Sequence, residues 1–163
     1  MSMRNLNRTN MKSIIFVTLG LATLFTIYLF ENPSVDFHKD PNGGIIFQKE
    51  NWTGALARAK KENKIVFLDV FATWCGPCKK LKKYTFSDQE VGTFFNQNFI
   101  NVALDGEQEE GRILSTTYDI SGYPTLLFIF PNGEILLKSS GYLTSKELLS
   151  TGKQILNSQH IRQ

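Results

Sequence analysis

The sequence predicts one α/β domain in the order β-α-β-α-β-α-β-β-α, preceded by a single apolar helix. Three observations carry that prediction. Short continuous apolar runs alternate with stretches of helical periodicity. An Asn132-Gly133 turn joins the last two runs as a hairpin. An uncharged 17-residue run, Ile14 to Phe30, stands apart from the rest. The chain has 163 residues, one domain's worth on a prior of roughly 100–200 residues. With 42% hydrophobic and 20% charged residues, it is neither disordered nor collagen-like. Two cysteines exclude a disulfide-dense scaffold and a four-thiolate zinc site.

Residues 1–13 form a cationic head, with Arg4, Arg8 and Lys12 and no acid. Outside residues 1–30 the chain holds 15 basic and 15 acidic residues, so the +3 net charge belongs to this head. That balance excludes the clustered positive charge of a nucleic-acid binder. Residues 14–30 would be about 25 Å long as a helix, at the short end for a membrane span. Basic residues before the run and Glu31 after it would send the remainder across the membrane. The two readings are a transmembrane anchor and a cleaved signal peptide. Tyr28-Leu29-Phe30 is bulky where a signal peptidase needs small residues, which favours the anchor. Both readings place the remainder in an oxidising, extracytoplasmic compartment, the periplasm in a bacterial cell.

Residues 31–44 (ENPSVDFHKDPNGG) have linker composition, and no internal repeat follows. The domain is expected over 45–157, with 158–163 as a tail. Ile45 to Gln48 is a short strand candidate, and Trp52 to Lys61 has helical spacing with a polar face. Ile65 to Phe71 (IVFLDVF) has the continuous apolar pattern of a buried strand. Pro77 to about Tyr84 is a helix with proline in its first turn. Ser87-Asp88-Gln89-Glu90 has the form of a capping box opening a helix through Phe94 and Phe95. Phe99 to Leu104 is a strand, Glu109 to Tyr118 a helix and Thr125 to Phe130 a strand. Pro131-Asn132-Gly133 turns the chain into a partner strand, Glu134 to Ser139. A second capping box, Thr144 to Glu147, opens a last helix to about Leu156.

Both cysteines lie in Trp74-Cys75-Gly76-Pro77-Cys78, between the buried strand and a helix. A helix N-terminus presents unpaired N–H groups and partial positive charge, which favour the reactive thiolate. Cys75 lies just outside the first turn and can meet a partner. Cys78, three residues on, falls on the same side and can resolve a mixed disulfide. Gly76 and Pro77 keep the loop tight. The other readings are an inert structural disulfide, which would constrain so small a loop little, and half of a zinc site. His38 and His160 have no ligand-like spacing to complete such a site, so no metal and no cofactor is expected.

The stretch FLDVFATWCGPCK, with YPT and FPNG downstream, resembles the thioredoxin superfamily over roughly Ile45 to Leu156. The resemblance implies a thioredoxin fold, a central mixed β-sheet flanked by helices with the dithiol at its edge. It makes Cys75 the attacking cysteine and Cys78 the resolving one, joined as a redox disulfide. It makes Asp69 the buried acid that manages the proton of Cys78. A charged Asp within an apolar strand is costly, so its pKa should rise, as suits a general base. The resemblance also makes Pro124 a cis-proline that aligns an extended substrate. Gly141 borders the same groove, and Trp74 and Tyr123 line the contact surface.

Three positions depart from ordinary thioredoxins. Phe71 replaces a second tryptophan, Lys83 a kinking proline, and Asn101 a lysine beside the buried acid. The run Lys82-Lys83-Tyr84-Thr85-Phe86-Ser87-Asp88 is closer to the extracytoplasmic C-terminal domain of the DsbD-type transmembrane reductase. That likeness implies an extracytoplasmic thiol–disulfide oxidoreductase acting in redox homeostasis. Its partners would be protein disulfide substrates and a membrane electron donor, with the membrane itself engaged through residues 14–30. It would act as a monomer. Lys79, Lys80, Lys82 and Lys83 are expected on a solvated face, or to steer an acidic partner. Glu107, Glu109 and Glu110 are expected to face solvent. The alternatives are a disulfide oxidase or isomerase, and a non-catalytic binding module.

Overall fold

The computed structural model describes residues 8–31 and 43–160. Arg4, most of the 31–44 linker with His38, and residues 161–163 lie outside the described residues. The chain divides into two compact units, Met1–Ser34 and Val35–Gln163.

In the first unit, α1 spans Arg8–Glu31. The hydroxyls of Thr18, Thr23 and Thr26 donate back to carbonyls three residues earlier, as helical threonines can. Among the described residues, no helix is long and apolar enough to cross a membrane. At 1.5 Å per residue, the uncharged run gives about 25 Å against a hydrocarbon core of about 30 Å. The transmembrane anchor expected over 14–30 is therefore unsupported.

In the second unit a four-stranded mixed sheet has the order β2-β1-β3-β4. Its strands are β1 (Ile65–Phe71), β2 (Phe99–Asp105), β3 (Thr125–Ile129) and β4 (Ile135–Ser140). The pair β1/β2 is parallel, while β1/β3 and β3/β4 are antiparallel. Helices α2 (Trp52–Glu62) and α5 (Glu109–Thr117) supply Trp52, Ala55, Ala59 and Leu114 to one face. Helices α3 (Gly76–Lys80), α4 (Gln89–Asn98) and α6 (Ser145–His160) cover the other, where Cys78, Phe95, Leu148 and Ile155 are buried. This is the thioredoxin fold expected from the sequence.

Strand alternation sorts β1 between these two cores. Val66, Leu68 and Val70 enter an aliphatic cluster with Ile100, Val102, Leu127 and Ile129. Phe67 and Phe71 enter an aromatic one. Phe67 sits 4.8 Å from Phe95 and 5.1 Å from Phe128, ring centre to ring centre. The cross-strand pairs Asp69–Ala103 and Asp69–Leu126 place Asp69 on this second face with the cysteines.

Four local expectations change. Ile45 to Gln48 is not a strand, because its amides go elsewhere. Ile45 N–H donates to Phe86 O, Ile46 N–H to Asn96 Oδ1, and only Gln48 N–H reaches β2, at Asn101 O. The helix after the dithiol is α-helical only to Lys80 and continues as a π-helix over Leu81–Phe86. The cap of α4 is Asp88, whose carboxylate accepts from Glu90 and Val91 N–H, whereas the Ser87 hydroxyl donates to Lys83 O. Helix α6 runs to His160, beyond Leu156. The box at its start does form, with Thr144 and Glu147 bonded reciprocally. In the hairpin turn it is Gly133 that takes positive φ, at 89°.

Candidate active site

Strand β1 ends at Phe71, and the chain leaves the sheet through residues 72–75 to enter α3. Cys75 is the N-cap of α3, with extended backbone and its N–H bonded to Ala72 O. Its sulfur accepts from the Cys78 N–H at 3.1 Å. That is the usual service of an N-cap side chain to the helix's unpaired donors, performed here by sulfur. Cys75 and Cys78 form a disulfide with Cα atoms 5.3 Å apart. Cys78 is fully buried, while Trp74, Gly76 and Pro77 around Cys75 are exposed. Cys75 is itself buried, at 2% exposure, beneath those three exposed residues.

Asp69 is fully buried, and neither carboxylate oxygen has a hydrogen-bond partner. Burial alone pushes its carboxyl up to about 8. Asn101 does not relieve it. Its amide N–H₂ donates to Asn96 Oδ1 and its own Oδ1 is unpaired. Asn96 also ties down Gly44 O and Ile46 N–H, so Asn101 belongs to a structural strap.

The Tyr123–Pro124 bond is cis. Register pairs Val70 with Thr125, so Pro124 lies at the end of the sheet from which Cys75 departs. Pro124 O accepts from Gly141 N–H at 2.9 Å, and a side chain at Gly141 or Gly76 would project into open space. Trp74 meets Tyr123 edge to face, ring centres 6.3 Å apart. The sequence-predicted residues Cys75, Cys78, Trp74, Tyr123, Pro124 and Gly141 therefore share one end of the sheet, with Gly76 and Pro77 in the dithiol loop. Asp69 lies beneath, on the dithiol face.

Two contributors escaped the sequence reading. Glu107, expected simply to face solvent, accepts the Trp74 indole N–H at 3.0 Å. Thr85, fully buried in the π-helix, donates to Leu143 O at 2.6 Å and ties the dithiol helix to the loop after Gly141. The Asp105-Gly106-Glu107 turn signal was present in the sequence, but nothing there linked it to Trp74. Lys83 Nζ stands 5.1 Å over the ring of Tyr84. No group of His, Cys, Asp or Glu suited to hold a metal occurs among the described residues.

A disulfide that caps a helix N-terminus, with a cis-proline at the same end of the sheet, is equipment for thiol–disulfide exchange. The class is a disulfide oxidoreductase. Residues 47–131 match the thioredoxin-like family, and the chain belongs to it. Over 112 residues it is 35% identical to Thioredoxin H4-1 of Oryza sativa subsp. japonica, covering 68% of this chain and 79% of that protein. Over 95 residues it is 32% identical to the thiol:disulfide interchange protein DsbD of Tatumella citrea. That match covers 56% of this chain but spans only 16% of the DsbD chain. A candidate disulphide-isomerase of Bacteroides thetaiotaomicron superposes with TM-score 0.62 at 42% identity, covering 70% of this chain and 94% of that one.

Proposed function

We propose that this protein reduces disulfides of exported proteins in an extracytoplasmic compartment, fed with electrons by a membrane dithiol donor. The place of the dithiol carries the reading. Cys75 caps the N-terminus of α3, Cys78 lies within its first turn, and the unpaired Asp69 carboxyl is buried on the same face of the sheet. Two electrons and two protons from the donor's dithiol open the Cys75–Cys78 bond, and the donor becomes a disulfide. The Cys75 thiolate then attacks one sulfur of the client disulfide and expels the other as a thiolate. Cys78 gives its proton to ionised Asp69 and attacks Cys75. The client leaves with two thiols, and the Cys75–Cys78 disulfide is restored. A carboxyl near 8 takes and returns a proton at neutral pH, the property of a useful general base.

The basic head and apolar run of residues 1–30 support export, and the likeness to DsbD supports a membrane donor. Trp74, Tyr123, Pro124 and Gly141 would hold the client main chain, with Gly76 and Pro77 leaving room at the dithiol. The protein acts as a monomer in this scheme. A second reading, disulfide isomerisation, is favoured by the likeness to the Bacteroides protein. The equilibrium redox potential in glutathione buffers, followed by Trp74 fluorescence, separates the two. A reductant gives about −270 mV or a little above, and a value above about −180 mV overturns the reductive reading.

A further inference from the structure

Trp74 is 66% exposed, yet it is held at both ends. Its indole N–H donates to Glu107 Oε2 at 3.0 Å, and its ring meets Tyr123 at an interplanar angle of 73°. Tyr123 is backed in turn by Gly106, where a Cβ would lie 2.5 Å from the Tyr123 ring. Only glycine lets the tyrosine lie that close.

Glu107 itself stands on a fixed base. Its N–H donates to Asp105 Oδ1 at 3.0 Å, and its carbonyl accepts from Arg112 Nη2 at 2.7 Å. Gly106 N–H donates to Phe71 O at 2.8 Å, on the last residue of the strand that leads to Cys75. The carboxylate is therefore a post rooted in the same strand end as the dithiol. A charge-assisted bond to an exposed indole adds little to folding, because water would satisfy the same N–H. Its effect is to restrict the rotamers of a large aromatic beside the reactive sulfur. A side chain ordered in advance loses less freedom when a partner binds.

We propose that Glu107 is a positioning residue that pre-orders Trp74 against Tyr123 as one wall of the client groove. This rests on the reductive reading above and deepens it. The wall serves extended polypeptide clients, whose main chain must lie along it. A small aromatic disulfide needs only the Cys75 sulfur.

The test uses the full chain, with dithiothreitol as reductant for insulin, and with the pre-reduced protein freed of dithiothreitol for dithionitrobenzoate. Glu107→Ala should raise KM for insulin about fivefold, the loss of one ordering contact, with kcat little changed. Its rate with dithionitrobenzoate should match the parent protein. The anisotropy of the iodide-quenchable tryptophan emission should fall, since Trp52 is buried and Trp74 is not. Glu107→Gln, whose amide oxygen still accepts the indole N–H, should restore both KM and anisotropy. An unchanged insulin KM in Glu107→Ala overturns the proposal. So does an equal loss in Glu107→Gln, which would assign the effect to charge alone. A parent protein that reduces neither disulfide overturns the reductive function itself, a result distinct from either.

Discussion

The two faces of β1 are built from consecutive residues and do different work. Val66, Leu68 and Val70 point into an aliphatic core under α2 and α5. Phe67, Asp69 and Phe71 point the other way, toward the aromatic core that also holds Cys75 and Cys78. On the first face every β1 side chain is apolar. On the second, a carboxyl is buried with no partner at all. Burying a carboxyl without hydrogen bonds costs stability, and a core gains nothing from it. The contrast separates a face that only packs from one that also holds a buried, unpaired carboxyl.

The sharpest way to break this comparison is at the sulfur. Cys75→Ser should abolish catalytic disulfide reduction, since the hydroxyl cannot replace the thiolate, and a turnover assay with insulin reads it directly. A binding module that kept its function in this variant would make the two faces equivalent.

The next largest effects are in stability. Phe67→Ala should cost about 3–5 kcal/mol and Leu68→Ala about 2–5 kcal/mol by urea unfolding of the oxidised protein. Phe67 touches the rings of Phe47, Phe86, Phe95 and Phe128, so its removal leaves a cavity with four aromatic walls. Redox potential should stay unchanged in Leu68→Ala, which lies on the packing face.

Asp69 sharpens the comparison through pH. Its folded pKa, about 8, lies above the ordinary 3.8, so the folded state holds the proton more tightly. Its contribution to stability is full below pH 3.8 and is lost as pH rises through about 8. Asp69→Asn should remove that slope and be more stable than the parent protein at pH 8, by thermal unfolding at pH 5 and 8. It breaks no hydrogen bond, because the carboxylate has none. The same variant should slow turnover at neutral pH by at least about tenfold through loss of the base. A parallel pH–stability profile in both proteins would contradict this account.

The smallest effect tests a cap on the dithiol face. Asp88→Ala should cost about 1 kcal/mol, and Ser87→Ala clearly less, by urea midpoint. The reverse order would return the cap to Ser87.

Much of the fold was legible because its signals are local. Ile65 to Phe71 is apolar throughout apart from Asp69, and it is a strand over those same residues. Thr144 and Glu147 reach each other within one helical turn. The strand expected at Ile45 to Gln48 was not legible as a loop. Its apolar pattern was right, for Ile45 and Phe47 are buried, but distant Phe86 and Asn96 take its amides. The π-helix after Lys80 was equally hidden, since nothing in Leu81–Phe86 excludes an ordinary helix.

The sequence by itself determined the dithiol, its place at the junction of a buried strand and a helix, and the acid within that strand. Each is a matter of residue type and neighbouring chain, where short-range sterics and hydrophobicity decide. Only the tertiary structure decided that Glu107 grips Trp74. The two lie 33 residues apart, and they meet because the crossover returns β2 parallel to β1, bringing the two strand ends together. It also left Asp69 without a hydrogen-bond partner, because that depends on everything packed around the carboxyl.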